Sequence, residues 1–375
     1  MFISLHYSRK ESPLLDGRDL RIALLYDEKQ ANQQLGISSG ATLRPMRPSP
    51  QKLLTHADVP VLLLTDLTNL RYLTGLSMSS GVLLVLPRSY VLFTDARYLE
   101  MAEHQAHRGV MIRDITELDR FLQKVRVCGF EQENVTVGRL LRWKTRFPST
   151  KFVRVKDVLE EFRRRKDPEE LRILRRAERI TKELLRRVPS MLRSTTTERS
   201  LAWKLRQWAQ ELGAEGMSFD PIVAFGTHTS RPHHQPTSRQ LQKGHIVQID
   251  VGAVYKGYCG DLSRVYFTAQ STPAQERAYR AVMEAKNAVI DEVRVGASTR
   301  ALDQLARSIL KKHGMEEAFT HALGHGVGLD VHEGVTLSSR QPDRKLLRGE
   351  VITVEPGVYF PGCFGIRLED MVVVE

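Results

Sequence analysis

The C-terminal half of this chain repeats one order of predicted elements: two capped helices, then strands that carry acidic residues. At Asp167-Pro168 and at Thr272-Pro273, a capping side chain stands before a proline, which is typical of the first turn of a helix. Two helices followed by strands, twice over, indicate a pseudo-symmetric domain with a site between its halves. The predicted helix caps are Asp167, Thr195, Thr272 and Ser298 or Thr299.

Two aspartates flank a predicted tight turn in the first set of strands. If Lys256-Gly257 forms a two-residue loop, Asp250 and Asp261 lie on one face of a hairpin as diagonal neighbours. Two carboxylates that close repel each other unless a proton or a cation lies between them. Alone, this pair is equally well explained as two surface aspartates.

A second acidic pair, Glu355 and Glu369, surrounds residues 361–365 in segments that are predicted to be buried strands. A buried carboxylate needs a partner, and Arg367 is one alternative for a lone glutamate. Two such hairpins and a histidine favour a pair of hard divalent cations instead. Two cations that share a water can generate hydroxide near neutral pH.

The histidines of the second half stand in a glycine-rich segment, where the backbone can approach a ligand closely. A single histidine is most often a surface or core residue, but a glycine-spaced row beside four carboxylates favours a site. Three further histidines lie on a predicted loop upstream. The row is His321, His325 and His332, and the loop carries His228, His233 and His234.

Composition limits the class of protein. The 375 residues, 41% apolar and 27% charged, fit a globular protein of two or three domains. No apolar run is long enough to cross a bilayer, and the first residues do not form a signal peptide, so the cytoplasm is the predicted location. The three cysteines form neither a disulfide framework nor a zinc motif. The net charge of +12 lies mostly on helix-like stretches without interleaved aromatic residues, which favours solvated faces over a nucleic-acid site.

Three segments are predicted along the chain. Residues 1–55 form a poorly defined extension, because much of that stretch is polar and rich in Gly, Ser and Pro. Residues 56–155 form a small domain of strands and helices, with a hairpin at Pro87-Arg88-Ser89. Residues 156–375 form the larger domain that carries the acidic pairs.

At these residues the chain resembles the peptidase family of methionine aminopeptidase, aminopeptidase P and prolidase, whose catalytic domain has the pita-bread fold. Residues 69–75 and 94–98 are similar to the creatinase-like N-terminal domain. The resemblance implies an α/β (α+β) protein with that domain before a pseudo-symmetric catalytic domain. Simple methionine aminopeptidases lack the first domain and creatinase lacks the metal ligands, which points to the aminopeptidase P and prolidase branch.

The resemblance also implies residue roles. Two divalent cations, Mn²⁺ with Co²⁺ or Zn²⁺ as alternatives, would hold a bridging hydroxide that attacks the carbonyl before proline. Glu355 would move the proton, and His233 and His332 would bind the peptide and stabilise the tetrahedral intermediate. His321 and Arg367 resemble positions that contact substrate or support ligands. The implied metal ligands are Asp250, Asp261, His325, Glu355 and Glu369.

The predicted function is therefore an exopeptidase that cleaves between an N-terminal residue and proline. The family implies a homodimer, and neither membrane nor nucleic-acid partners are expected. The alternatives are a non-catalytic pita-bread protein that binds nucleic acid or protein, and the same site acting on a non-peptide amide or a lyase substrate. The sequence leaves open dipeptidase against aminopeptidase, the native metal, and whether the chain, ending six residues after Glu369, is complete.

Overall fold

The structure is a computed structural model that describes residues 47–375. Residues 1–46, which hold most of the predicted extension, lie outside the described residues. The described chain forms two compact units. The N-terminal unit contains residues 47–171 together with Gly328–Gly334, and the C-terminal unit contains residues 172–327 and Val335–Glu375.

The N-terminal unit is built on one six-stranded sheet of order β4-β3-β2-β1-β5-β6. Strands β1, β2 and β3 pair antiparallel, and the remaining pairs are parallel. The strands are β1 (Leu62–Leu64), β2 (Val82–Leu86), β3 (Ser89–Thr94), β4 (Val110–Asp114), β5 (Val127–Glu131) and β6 (Lys151–Val155). The helices are α1 (Pro50–Ala57), α2 (Leu67–Thr74), α3 (Leu99–Gln105), α4 (Leu118–Leu122), α5 (Val137–Arg146) and α6 (Glu160–Arg164).

Helices cover both faces of this sheet, which explains its uniformly apolar central strands. Leu62 and Leu64 face a core formed with α1 and α2, whereas Leu63 faces a second core formed with α4 and α5. Successive side chains of a strand point to opposite faces, so a strand that is covered by helices on both sides carries apolar residues at every position.

The C-terminal unit contains four long helices and short strands. Its helices are α7 (Pro168–Arg187, which starts in the N-terminal unit), α8 (Glu198–Glu211), α9 (Pro273–Glu292) and α10 (Thr299–Lys312). Its strands are β7 (Gly216–Met217), β8 (Ile222–Phe225), β9 (Ile246–Val251), β10 (Ala253–Tyr255), β11 (Tyr258–Cys259), β12 (Leu262–Phe267), β13 (Gly324–Gly326), β14 (Glu333–Leu337), β15 (Val351–Val354), β16 (Gly357–Phe360), β17 (Phe364–Arg367) and β18 (Asp370–Val373). Among the described residues, no helix has the length and apolar character needed to span a bilayer.

The C-terminal unit contains two hydrophobic cores. Helices α7 and α8 pack on β8 and β9, with Leu184, Leu205 and Ile249 completely buried between them. Helices α9 and α10 pack on β14, β15 and β17 around Val282 and Ile352. Each helix pair therefore covers its own strands, which confirms the predicted repeat of architecture.

The helix caps in the structure agree with the sequence prediction at α9 and differ from it at α8. At α9, Thr272 and Gln275 form the predicted reciprocal capping box. At α8 the predicted cap, Thr195, is wrong by two residues, because Thr197 caps the helix and exchanges hydrogen bonds with Ser200. The side chain of Glu198, expected to complete that box, turns into the interior instead.

The aspartate hairpin has the predicted register. Lys256 and Gly257 both have positive φ, 47° and 82°, as a two-residue hairpin turn requires. Tyr255 pairs with Tyr258, and the pairing of β9 with β12 continues the same register, so Gly252 lies opposite Asp261. A Cβ on Gly252 would lie 1.9 Å from the Gly260 carbonyl oxygen, so only glycine permits this approach.

We therefore expect Gly252→Ala to lower the free energy of unfolding by about 1–3 kcal/mol, because the added methyl group must push the two strands apart. Urea unfolding measures the change. The control is Gly216→Ala on β7, where an added Cβ meets no atom within 4 Å and φ is not in the left-handed range. Equal unfolding midpoints for the two variants would contradict this account of the hairpin.

Candidate metal centre

All five predicted metal ligands lie at or near strand ends in the C-terminal unit, and both halves of the unit contribute. Nε2 of His325 lies 3.5 Å from Oδ2 of Asp261 and 3.5 Å from Oε1 of Glu355. Ligand atoms of Asp261, His325 and Glu369 lie within 4.8 Å of one another. Asp250 is in β9, Asp261 precedes β12, His325 is in β13, Glu355 follows β15 and Glu369 precedes β18.

Close packing of β13 on β15 brings His325 and Glu355 together. The backbone N–H of His325 donates to Oγ1 of Thr353 at 3.1 Å, and that of Glu355 donates to the Leu323 carbonyl at 2.8 Å. A Cβ on Gly324 would lie 2.0 Å from the Thr353 carbonyl oxygen. The glycine before His325 is therefore required for this approach, as the glycine-rich pattern predicted.

Arg367 is buried against Asp250. Its Nη2 donates to Oδ2 of Asp250 at 2.5 Å, its Nη1 to the Tyr359 hydroxyl at 2.7 Å, and its Nε to Oγ of Ser263 at 3.0 Å. The sequence allowed Arg367 to pair with a lone glutamate, whereas the structure pairs it with Asp250. One guanidinium cannot balance four ionised carboxylates, so the cluster also needs protons or cations.

The electrostatics of the cluster fit a cation. Burial raises the pKa of Glu355 to about 8, with the charge of Arg367 opposing and that of Asp250 adding to the shift. Burial and the neighbouring carboxylates also raise the pKa values of Asp261 and Glu369 well above the usual range.

Two buried oxygens, Oδ1 of Asp250 and Oε2 of Glu369, have no hydrogen-bond partner among the described residues. Buried carboxylate oxygens are normally satisfied, so such atoms call for an ion or a proton. Four carboxylates and one imidazole are a donor set that suits hard divalent cations. The residues present therefore fit the metal centre predicted from the sequence.

His321 lies beside this cluster as a neutral imidazole. Burial lowers its pKa to about 4, and the charges of Arg367 and His233 add to the effect. Its Nδ1 is 2.7 Å from the Ala322 carbonyl oxygen, so Nδ1 donates and Nε2 accepts from the Tyr359 hydroxyl at 2.9 Å. The Tyr359 hydroxyl is thus fixed between Arg367 and His321. No motif in the sequence singled out Tyr359, although a tyrosine in a buried strand usually has a polar partner.

The remaining predicted histidines separate into three environments. His233 is exposed, and it follows Pro232, whose carbonyl accepts from Nη1 of Arg367 at 3.3 Å. His228 and His234 instead contact Glu198, at 2.8 and 2.9 Å. His332 belongs to the N-terminal unit, where it lines a cavity of about 200 Å³, and its predicted role stays a prediction.

Comparison with protein-family models now identifies the class. The model described as the Creatinase/Prolidase N-terminal domain matches residues 49–165, and that of metallopeptidase family M24 matches residues 172–375. The chain belongs to metallopeptidase family M24. The predicted family and the predicted pairing of a creatinase-like domain with a pita-bread catalytic domain are confirmed.

Individual relatives include both kinds of Xaa-Pro peptidase. The chain is 30% identical to an Xaa-Pro dipeptidase of Pyrococcus horikoshii over 321 residues, which is 84% of this chain and 90% of that protein. The prolidase from Pyrococcus furiosus superposes with a TM-score of 0.81 at 28% identity, over 86% of this chain and 96% of that one. The X-Pro aminopeptidase from Thermotoga maritima MSB8 superposes with a TM-score of 0.80 at 29% identity, over 86% and 94%.

We expect a divalent cation to displace protons when it binds the metal-free protein near pH 7. With a raised pKa of about 8, Glu355 is protonated at pH 7, and the cation favours its ionised form. Calorimetric titration with Mn²⁺ in buffers of different ionisation enthalpy should give about one proton or more released at pH 7 and fewer above pH 8. Glu355→Gln should reduce the number, whereas equal heats in all buffers would contradict the raised pKa values.

Proposed function

We propose that the protein is a dinuclear metal-dependent exopeptidase that hydrolyses the bond between an N-terminal residue and proline. The observation that carries this proposal is the convergence of five ligating side chains from both halves of the C-terminal unit. The orphaned oxygens of Asp250 and Glu369 support it, because they are the atoms that a cation would satisfy. The Xaa-Pro activities named for the relatives support the choice of bond.

Two divalent cations held by the five ligands would supply Lewis acidity and a water of lowered pKa at this point. Within the chain, Glu355 is the proposed proton carrier, as the family resemblance implies, and its Oε1 lies in the cluster 3.5 Å from Nε2 of His325. Its Oε1 would take a proton from the attacking water and give it to the proline nitrogen as the bond breaks.

Other side chains would orient the substrate and the ligands. His233, which is exposed and follows the Pro232 carbonyl contacted by Arg367, is the proposed donor to the developing negative charge on the substrate carbonyl oxygen. Arg367 fixes the orientation of the Asp250 carboxylate, and the neutral His321 fixes the Tyr359 hydroxyl. His332 is proposed to bind the peptide, as the family resemblance implies.

Several finer points belong to the proposal. Mn²⁺ is the proposed metal because carboxylate-rich ligation suits a hard ion, although affinity order alone favours other metals. The homodimer and the cytoplasmic location stay predictions. The non-catalytic alternative would be favoured by gaps in the ligand set, and here all five positions carry ligating side chains.

We expect the Mn²⁺-loaded protein to release the first residue from peptides such as Ala-Pro or Ala-Pro-Ala and to leave Ala-Ala intact. Chromatographic product analysis shows which of the two proline peptides is cleaved, and so decides between dipeptidase and aminopeptidase. Exhaustive chelation should abolish cleavage, and Mn²⁺ should restore it. Full activity after chelation would exclude the proposed metal dependence.

Asp261→Ala should lower kcat/KM by more than ~100-fold, the upper end of losses seen when only supporting residues around a metal are removed. The matched control is Asp291→Ala, an exposed aspartate on α9, which should retain activity. Elemental analysis of both variants should show metal lost only from the first. Unchanged activity in Asp261→Ala would refute the assigned site, and salt-sensitive nucleic-acid binding without bound metal would favour the non-catalytic alternative.

A further inference from the structure

A second polar cluster in the C-terminal unit is centred on the Glu198 carboxylate, which is completely buried at the first turn of α8. Oε1 accepts from the backbone N–H of Phe225 at 2.9 Å and lies 2.8 Å from Nδ1 of His228. Oε2 accepts from the backbone N–H and the hydroxyl of Thr237, at 2.9 and 2.6 Å, and lies 2.9 Å from Nε2 of His234. Five groups therefore contact one carboxylate.

The composition of this cluster, one glutamate and two histidines, is also that of some zinc sites. An ionised carboxylate has about four lone-pair directions, and the five surrounding donors already occupy them. Burial alone would raise the pKa of Glu198, but the bonds from Thr237, His234 and Phe225 hold it at about 2. The cluster is therefore satisfied as a hydrogen-bonded anchor and has no acceptor capacity left for a cation.

The Glu198 cluster holds the residue that follows His233, which is the exposed catalytic candidate. His234 is buried and bonded to Glu198, while the preceding His233 is exposed. On the other side of His233, the Pro232 carbonyl accepts from Nη1 of Arg367 at 3.3 Å. The backbone of His233 is thus fixed immediately before and after it, once by the metal-centre arginine and once by Glu198.

The same carboxylate also fixes the two ends of the loop that carries His233. Phe225 is the last residue of β8, where the loop begins, and Thr237 lies four positions after His233. His228 adds a contact in the turn Gly226–Ser230. Loops are otherwise the most mobile parts of a fold, so a single buried acceptor for several loop groups removes much of that freedom.

We propose that Glu198 is a positioning residue for His233: its carboxylate holds the loop 226–237 so that His233, next to the Pro232 carbonyl that Arg367 contacts, is presented at the metal centre. The inference rests on the proposed peptidase function, since it assumes that His233 acts on the substrate. Glu198 itself touches neither the five ligands nor Arg367 among the contacts described above. It therefore acts on the reaction through the loop alone.

The test is a double-mutant cycle with Glu198→Gln and His233→Ala. We expect Glu198→Gln to lower kcat/KM for an Xaa-Pro peptide by ~10–100-fold, the loss typical of groups that support a site from outside it. In the His233→Ala background the same change should have little further effect, because the residue it positions is absent. Thr237→Val, which removes one donor to Glu198, is a milder variant that tests the same anchor if Glu198→Gln does not fold.

Hydrogen exchange measured by mass spectrometry gives a readout independent of activity. Exchange in residues 226–237 should increase in Glu198→Gln and remain unchanged in α10. The matched control is Glu211→Gln at the exposed end of the same helix, which should alter neither exchange in the loop nor kcat/KM. If the unmodified protein cleaves no Xaa-Pro peptide, the proposed function fails while the exchange experiment still tests the anchor.

Three results would overturn the inference. Equal losses of kcat/KM from Glu198→Gln with and without His233 would show that Glu198 acts by another route. Unchanged exchange in the loop would show that the carboxylate does not hold it. Loss of a bound metal equivalent in Glu198→Gln, by elemental analysis, would show that the cluster binds a cation.

Discussion

Four carboxylates meet in the C-terminal unit, where protein rather than water surrounds them. Two like charges 4 Å apart repel by about 4 kcal/mol at the effective dielectric constant typical of proteins. The net stability of a whole domain is only about 5–15 kcal/mol, so this cluster cannot remain fully ionised without compensation. Burial and the neighbouring carboxylates raise the pKa values of Asp261, Glu355 and Glu369, so proton binding is one form of compensation. Bound cations would also neutralise the carboxylates, and the carboxylate oxygens would then be their ligands.

The surrounding structure holds the four carboxylates in a defined geometry despite their repulsion. Close backbone contacts at Gly252 and Gly324 fix the strands, so the ligands cannot move apart to relieve their charge. Arg367 then fixes one carboxylate, and Tyr359 links that arginine to His321. Backbone contacts thus set the positions of the ligands, and buried hydrogen bonds set their orientation.

Local patterns in the sequence were enough to predict much of this. The cap at Thr272, the two-residue turn at Lys256-Gly257 and the glycine beside His325 each depend on a few adjacent residues. The failures involve distant partners. The capping residue of α8 was misplaced because Ser200 replaces the expected glutamate, whose carboxylate bonds to residues 27 to 39 positions away. Tyr359 could not be predicted for the same reason, since its hydroxyl bonds to His321, 38 positions earlier.

The segment Gly328–Gly334 determines when, during synthesis, the ion pairs of the N-terminal unit can form. Within the N-terminal unit, Arg163 is paired with Asp330 and Glu333, each at 2.6 Å, and the almost completely buried Lys166 is paired with Glu333 at 2.8 Å. These acidic partners lie 167 to 170 positions further along the chain. A ribosome adding about 5–20 residues per second delivers them on the order of ten seconds or more after the two basic residues. The N-terminal unit therefore cannot reach charge balance until residues 172–327 of the C-terminal unit have been synthesised.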